Sequence, residues 1–366
     1  MARRNLDECN ADRIKKILLL GVEGDKRKIY FEKAIYEAGI DYEFYDWNNF
    51  LLLGKRDDLK HCIIKIDAPK WDSSVLNDLD KLTNQYKKAL FNLTELPFGA
   101  YFNHPMDILE LLDKRKCKQK LIQNGIPVTK PIFHTFLKSD ELLSFMRENR
   151  LRQVFVKPVT GSGAAGVSAL RFESTKNKIV LYTCAQLSED KLINTKRMHC
   201  LEQDKAVKFL NTLLKLDCIV EKWHRKSHCQ SKDNDYFDNN YSFDLRVIVQ
   251  DGRIDYILPR LSKGPITNLH LNNLSIPFNE LNLKKSTVDK LCDVCIKAAA
   301  CYPRLNSIGL DVLLEEDSEK PYIIEMNSQG DLMHKDVYSN NTIYRKQIEI
   351  IKNIMVDGYI RKGQKI

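Results

Sequence analysis

Short runs of β-forming residues lie on either side of an amphipathic segment in the first hundred positions of the chain. Residues 28–38 carry apolar side chains at helical spacing, and Gly39 follows as a typical helix terminator. The flanking apolar runs that read as strands are 14–20, 42–45 and 62–66. This order of elements predicts an opening βαβ-like domain that ends near residue 105.

The apolar pattern changes in the middle of the chain. Residues 105–124 read as one helix, which Gly125 and Pro127 end in the usual way. The segment 154–157 then alternates as a strand does, and β-formers resume at 167–172. These two segments predict a hairpin.

The predicted turn of this hairpin is rich in glycine. Gly161, Gly163 and Gly166 have no Cβ, so backbone N–H groups there can close around phosphate, and Lys157 adds a mobile positive charge just before the turn. The letters also match the dinucleotide fingerprint G-x-G-x-x-G. That fingerprint requires a helix after the turn, whereas a strand follows here. A flexible hairpin that binds no ligand is the other alternative.

Two further β-rich runs lie far downstream, at 308–314 and 322–327, on either side of a polar turn. Asp311 lies on the first run, and Glu325 and Asn327 share one face of the second because strand side chains alternate. Two carboxylates and an amide oxygen form a hard-oxygen set. Such a set suits Mg²⁺ held against phosphate, with Mn²⁺ as an alternative.

Composition sets wide limits. The chain has 366 residues, 43% of them hydrophobic and 29% charged, which is ordinary for a globular protein with two or three domains. No apolar run approaches the roughly 18 residues of a membrane span. The polar start predicts neither a signal peptide nor a myristoylation motif. The net charge of +9 is dispersed and suits anionic ligands, while no zinc-finger or RNP-type motif indicates nucleic acid.

The ten cysteines are scattered without the spacing of a disulfide framework, which predicts reduced thiols and a cytoplasmic protein. Cys292 and Cys295 form the only close pair, within a predicted helix at 287–300. A zinc site would need a second pair near by, so buried helical cysteines are the preferred interpretation.

Taken together and in this order, the motifs resemble the ATP-grasp superfamily from about residue 106 to 333. The resemblance implies a mixed α/β fold, with an N-terminal α/β domain before two α+β subdomains that clamp ATP. The expected division is 1–105 for the N-terminal pre-ATP-grasp domain, 106–220 for the central lid subdomain and 221–366 for the C-terminal subdomain with the metal site.

The resemblance also implies a nucleotide site. Lys114, which follows Asp113, matches the first nucleotide lysine of the family, and Lys157 matches the second. The hinge strand corresponds to residues 219–223, where backbone groups and Glu221 would read the adenine edge. The implied nucleotide-binding positions are Lys114, Lys157, Gly161, Ser162, Gly163, Ala164, Gly166, Glu221, Lys222 and Trp223.

Within the superfamily, the nearest resemblance is to the ribosomal-protein glutamate ligase branch. Asp244 and Arg246 match a strand that carries a substrate-side acid and an arginine. The implied catalytic residues are Arg246, Arg260, Asn268 and His270, and the implied metal ligands are Asp311, Glu325 and Asn327.

The chain departs from this branch in two loops. Asn272-Asn273 replaces paired glycines, and the turn 328–331 replaces a Ser-Pro-Gly-like turn. These loops border the acceptor site in the family, so glutamate specificity is not carried over.

The implied activity is that of a carboxylate–amine ligase, which uses ATP to form an acyl phosphate on an amino acid, peptide or small metabolite. An ATP-grasp kinase that phosphorylates an alcohol would share the same nucleotide and metal residues, and a non-catalytic nucleotide-binding scaffold is a third alternative. Neither a membrane nor nucleic acid is expected as a partner, and a homodimer remains open.

Overall fold

The computed structural model describes residues 14–52, 54, 56–70, 73–161, 164–229, 241–267 and 273–357. In this part of the chain, three β-sheets follow one another in sequence, each with helices packed against it. No helix among the described residues has the length and apolar character needed to cross a membrane.

The first sheet is parallel, in the order β2-β1-β3-β4. Its strands are β1 (Lys16–Gly21), β2 (Tyr42–Asp46), β3 (Cys62–Ile66) and β4 (Ala100–Tyr101). Helix α1 (Lys26–Ala38) begins at Asp25, whose carboxylate accepts from the Arg27 backbone, and ends at Gly39 with φ of 63°. Helix α2 (Leu76–Leu93) completes this region, so the predicted βαβ-like opening is confirmed.

The predicted single helix at 105–124 is wrong in one respect, because the structure has two helices there. Helix α3 (Pro105–Leu111) ends before Asp113, and α4 (Lys114–Gln123) begins after it. The Asp113 side chain accepts from the backbone N–H groups of Arg115 and Lys116, which caps α4 and makes Lys114 its first residue. Apolar spacing alone did not reveal this cap.

The second sheet is antiparallel, in the order β5-β10-β6-β7-β8-β9. Its strands are β5 (Pro131–Ile132), β6 (Gln153–Pro158), β7 (Ser168–Glu173), β8 (Lys178–Ser188), β9 (Lys191–Glu202) and β10 (Cys218–Lys222). Helices α5 (Ser139–Glu148) and α6 (Gln203–Leu213) contribute buried residues to the same core as one face of this sheet. The opposite face of this sheet carries Lys157 and Glu221, which belong to the candidate site.

The third sheet is also antiparallel, in the order β13-β12-β11-β14-β15. Its strands are β11 (Ser242–Gln250), β12 (Arg253–Ser262), β13 (Leu274–Ser275), β14 (Ser307–Leu314) and β15 (Pro321–Asn327). Helix α7 (Lys285–Ala300) packs on it and contains Cys292 and Cys295, as predicted. Every residue of β14 is buried, so Asp311 is a buried carboxylate on an interior strand of this sheet.

The chain closes on its first sheet. After the short helix α8 (His334–Val337), helix α9 (Thr342–Asp357) places Tyr344, Ile348 and Ile351 in one apolar cluster with Ile17 and Phe31. The predicted division at 105 and 220 stays a prediction. Helix α9, however, packs with the N-terminal region and not only with the segment to which the sequence assigns it.

Candidate active site

The glycine-rich segment joins two antiparallel strands, which confirms the predicted hairpin and not the dinucleotide alternative. Strands β6 and β7 pair with Phe155 opposite Ala169. Val154 and Val156 are buried in the core of the second sheet. Alternation therefore directs Phe155 and Lys157 to the opposite face, towards the third sheet.

The described flanks of the glycine turn are held by the start of α4. Lys114 donates through Nζ to the Gly161 carbonyl at 2.8 Å and through its backbone N–H to the Val159 carbonyl at 3.2 Å. Gly161, Ala164 and Gly166 have φ values of 121°, 62° and 70°, which an L-residue such as alanine adopts only at a cost. Ser162 and Gly163 lie outside the described residues.

The second predicted nucleotide lysine is held by a buried acid. Lys157 Nζ lies 2.9 Å from Glu221 Oε2, which also accepts from Thr129 Oγ1 at 2.7 Å. Lys118 Nζ approaches the other oxygen, Glu221 Oε1, at 3.3 Å. Burial would raise the pKa of Glu221, but Lys118 and Lys157 outweigh it and lower the pKa to about 2. Glu221 is therefore an anion shared by two lysines.

Both carboxylate oxygens of Glu221 lie close to lysines of the chain, at 2.9 Å from Lys157 and 3.3 Å from Lys118. Its part in reading the adenine edge stays a prediction. The other hinge residues differ from it: Lys222 is exposed, and the Trp223 ring lies 5.0 Å from Phe155 and 5.0 Å from the Arg171 guanidinium. Their nucleotide roles stay predictions.

Lys118 is a residue of this cluster that the sequence interpretation missed. It follows Lys114 by four positions on α4, and the two lysines line one cavity with Glu325. Lys118 donates to the carbonyl of Thr129 at 3.1 Å, and burial lowers its pKa to about 8. The Lys-x-x-x-Lys spacing on a helix was the available signal, but nothing in it distinguishes a buried lysine from an exposed one.

Replacing Glu221 by glutamine should lower the free energy of unfolding by about 3 kcal/mol at neutral pH, because two buried lysines lose their counter-ion. The folded-state pKa of Glu221 lies at about 2, below its ordinary value of 4.5. The stabilisation is therefore complete above pH 4.5 and is lost as the pH falls towards 2. Denaturant titrations at pH 7 and pH 3 measure both effects.

The matched control is Glu110→Gln, which removes an ion pair with Lys120 whose side chains are each 31% exposed. Such a pair contributes about 1 kcal/mol or less. Equal losses in the two variants would contradict a special contribution from Glu221.

The three predicted metal ligands are brought together on β14 and β15. Asp311 and Glu325 are direct cross-strand partners, and a register shift follows between Asp311 and Val312. Asn327 lies on the same face as Glu325, with its Nδ2 3.5 Å from Glu325 Oε1. The predicted antiparallel pair and the shared face are confirmed, while metal binding stays a prediction.

Two arginines flank Asp311. Arg246 Nε lies 2.8 Å from Asp311 Oδ1, and Arg260 Nη2 lies 3.2 Å from the same oxygen. Burial raises the pKa of Asp311 above its ordinary value, although both arginines oppose that shift. Burial likewise raises the pKa of Glu325, but Lys114, Lys157 and Arg246 outweigh it and hold that pKa low. The positive charges thus converge on the predicted metal face.

Asp244 is the centre of a second buried group. Its Oδ1 accepts from Arg260 Nε at 2.7 Å, and its Oδ2 accepts from the Thr267 hydroxyl. Lys226, which the sequence interpretation missed, donates to Thr267 Oγ1 at 2.7 Å and lies 3.6 Å from Asp244 Oδ2. Asp244 therefore orients Arg260 and the loop that leads to Asn268. Asn268 and His270 themselves lie outside the described residues.

Arg246 lies against the backbone of two glycines. A Cβ on Gly309 would come within 2.8 Å of Arg246 Nη1, and one on Gly330 within 2.6 Å. Gly330 belongs to the turn that departs from the family pattern. The turn has a different sequence, but it retains the small residue that leaves room for the guanidinium.

The donor set fits a hard divalent cation. Asp311 and Glu325 present two neighbouring carboxylates, and the Asn327 amide completes an all-oxygen group of the kind that magnesium prefers. This site has only two carboxylates, and no group of three or more His, Cys, Asp or Glu side chains that could hold a metal occurs among the described residues. Cys292 and Cys295 are free thiols on α7, and of the two predicted buried helical cysteines Cys295 is buried while Cys292 is half-buried.

Comparisons with known proteins give a structural answer only. No family model matches the chain, and no curated protein matches it by sequence. Many solved structures resemble it over nearly its whole length, among them three ligases of different substrates.

The first is a RiPP-associated ATP-grasp ligase from Chryseobacterium gregarium in complex with ADP and a leader and core peptide, with a TM-score of 0.60, 13% identity, and coverage of 96% of this chain and 100% of that one. The second is the D-cycloserine synthetase DcsG, with a TM-score of 0.56, 13% identity, and coverage of 92% and 99%. The third is the macrocyclase MdnC from Microcystis aeruginosa bound with the precursor peptide MdnA, with a TM-score of 0.55, 12% identity, and coverage of 92% and 99%.

At identities of 12–13% these likenesses establish architecture and not chemistry. They agree with the predicted mixed α/β arrangement, while the resemblance to the glutamate ligase branch stays a prediction. The chain therefore has the fold of the ATP-grasp ligases.

Proposed function

We propose that this protein is an ATP-dependent carboxylate–amine ligase that acts through an acyl phosphate. One observation carries the proposal. Lys114 from α4, Lys157 from β6 and Arg246 from β11 place positive charge around the half-buried Glu325 carboxyl and lower its pKa, and Asp311 is the cross-strand partner of Glu325. Groups from three separate elements thus form a site of alternating charge, as the binding of a polyphosphate and a cation requires.

In this proposal ATP lies between the second and third sheets. Lys114, Lys157 and the backbone of Gly161, Ala164 and Gly166 contact its phosphates. The predicted contributions of Ser162 and Gly163 fall in the same turn. The backbone of Glu221 and Lys222, with the Trp223 ring, borders the base.

Asp311, Glu325 and Asn327 would hold magnesium, with manganese as an alternative, and the ion would neutralise phosphate charge. Lys114 and Lys157 would remain with the nucleotide and limit repulsion between its phosphates and the two carboxylates. Because the metal ligands lie on paired strands, their spacing is set by the sheet and not by a loop.

The reaction joins two substrates in two steps. A carboxylate oxygen of the first substrate attacks the γ-phosphorus of ATP, the bond to the β-phosphate oxygen breaks, and ADP leaves. An amine then attacks the acyl carbon, phosphate departs with the electron pair of the C–O bond, and the amine loses a proton. Arg246 and Arg260, both permanently charged, would steady the carboxylate and then the oxyanion. Asn268 and His270 are proposed to border the attacking amine.

The proposed substrate is an amino acid, a peptide or a small metabolite. Structural neighbours of both kinds exist, because one is a D-cycloserine synthetase and two contain bound peptides. The dispersed positive charge favours an anionic substrate, and the scattered free thiols favour the cytoplasm.

A turnover assay with hydroxylamine tests the proposal. Purified protein, ATP and magnesium are combined with fractionated metabolites and peptides from the host, because hydroxylamine converts acyl phosphates to stable hydroxamates. We expect ADP, free phosphate and a hydroxamate from at least one fraction, and none of these from Glu325→Gln. ADP with a phosphorylated product and no hydroxamate would contradict a ligase and identify a kinase on the same fold.

A further inference from the structure

Helix α2 contacts the apolar cores of both the first and the second sheet. Its C-terminal half contributes Tyr86, Leu90 and Leu93 to the largest apolar cluster, which includes first-sheet residues such as Leu18. Its N-terminal end contributes Leu76 to the core of the second sheet. At eighteen residues the helix is about 27 Å long, enough to span both regions.

The N-terminal end of α2 contacts the flanks of the glycine turn directly. Thr160 donates through Oγ1 to Asp80 Oδ1 at 3.0 Å. A Cβ on Gly166 would come within 2.8 Å of Leu76 Cδ1, so the turn and the helix are in tight contact at that point. Just before α2, Val75 forms a bridge with Ile193 of β9.

Helix α2 also contacts the turn that follows β15, the strand that carries Glu325 and Asn327. Tyr86 OH accepts from Gln329 Nε2 at 2.7 Å, and the same amide donates to the Ile66 carbonyl at 3.0 Å. Gln329 is two residues after Asn327. Arg27 donates to the Gln329 carbonyl at 3.2 Å, so the turn is held from both sides.

We propose that α2 is a positioning element with Asp80 and Tyr86 as its positioning residues. It would fix the position of the glycine turn relative to β15, the strand that carries Glu325 and Asn327. The inference rests on the proposed function, because it concerns how phosphate and metal groups are aligned. Asp80 and Tyr86 are separated by less than two turns of one continuous helix. The distance between them along the helix is therefore nearly fixed. Displacement of the glycine turn would therefore be opposed by contacts with the first sheet.

A double-mutant cycle tests the first contact. The variants are Asp80→Ala, Thr160→Val and the double variant, and the measurement is the dissociation constant of ADP with magnesium by calorimetry. Each single change should weaken binding about threefold to tenfold, the scale expected for one solvent-exposed hydrogen bond. The double variant should bind no more weakly than either single variant, because both remove the same contact. Asn84→Ala, at an exposed position on the same helix, is the control and should bind as the wild type does.

The second contact is tested through turnover. Tyr86→Phe removes the hydroxyl that Gln329 contacts. Tyr101→Phe, the control, removes a buried hydroxyl that donates to the carbonyl of Leu93, the last residue of α2, and that contacts neither turn. With ATP hydrolysis in the presence of hydroxylamine as the readout, kcat should fall about threefold to tenfold more in Tyr86→Phe, with KM for ATP unchanged.

Failure of the inference is distinct from failure of the proposed function. The positioning role would be overturned if the single variants bound ADP normally, or if the fold-changes in their dissociation constants multiplied in the double variant. Equal kcat values for the two tyrosine variants would also overturn it. In each case ADP binding by the wild type would stand. A wild type that binds neither ADP nor ATP would overturn both.

Discussion

Replacing Glu325 by glutamine is expected to abolish turnover while nucleotide binding survives at reduced strength. Glutamine keeps the shape of the side chain and one oxygen, but it removes the negative charge that faces Lys114, Lys157 and Arg246. We expect kcat to fall by about 10³-fold, the scale of loss when a group that handles phosphoryl-transfer charge is removed. Product formation from ATP under saturating substrate, with ADP affinity measured in parallel, gives the two numbers.

The control is Glu148→Gln, an exposed position at the end of α5. Helix α5 packs on the face of the second sheet that is opposite the candidate site. It should turn over as the wild type does. Near-normal turnover by Glu325→Gln would remove Glu325 from the metal assignment, because a ligand that can be neutralised without loss is not a ligand on which the reaction depends.

The second large effect is expected for Lys157→Ala. Lys157 is buried and lies 2.9 Å from Glu221, on the face of β6 that looks towards the third sheet. Its loss should weaken ATP affinity about tenfold to a hundredfold, because a charge-assisted hydrogen bond contributes about 1.5–3 kcal/mol. Calorimetry with ADP and magnesium measures the effect without the need for a known second substrate.

Lys178→Ala, at the exposed start of β8, tests whether the loss of any positive charge on the second sheet is sufficient. It should bind ADP with wild-type affinity. If Lys157→Ala bound ADP as tightly as Lys178→Ala does, Lys157 would serve only as the partner of Glu221, and the nucleotide assignment would have to move to other groups.

The sequence alone determined the strand pairs that carry the candidate site, although it did not predict helix α2. Alternation identifies both strands of the glycine hairpin and both strands that carry Asp311 and Glu325, because a period of two depends only on neighbouring residues. It also places Glu325 and Asn327 on one face. The break between α3 and α4 was missed, since Asp113 interrupts the helix by capping the next one while the apolar spacing continues.

Tertiary structure decided which charges meet. The sequence separates Lys118 from Glu221 by about a hundred positions, and only the pairing of β10 with β6 and the packing of α4 bring them to 3.3 Å. That contact gives Glu221 a structural role that its hinge motif did not predict. The same holds for Lys226, whose contacts with Asp244 and Thr267 depend on three separate segments.

The part played by the N-terminal region was likewise invisible in its sequence, which contains no recognisable motif for a substrate. Helix α2 has ordinary amphipathic spacing. Leu76 and Asp80 contact the flanks of the glycine turn, whereas Tyr86 contacts the turn that follows β15. A pattern of apolar residues specifies that a face is buried, but the identity of the surface that covers it is a property of the whole fold.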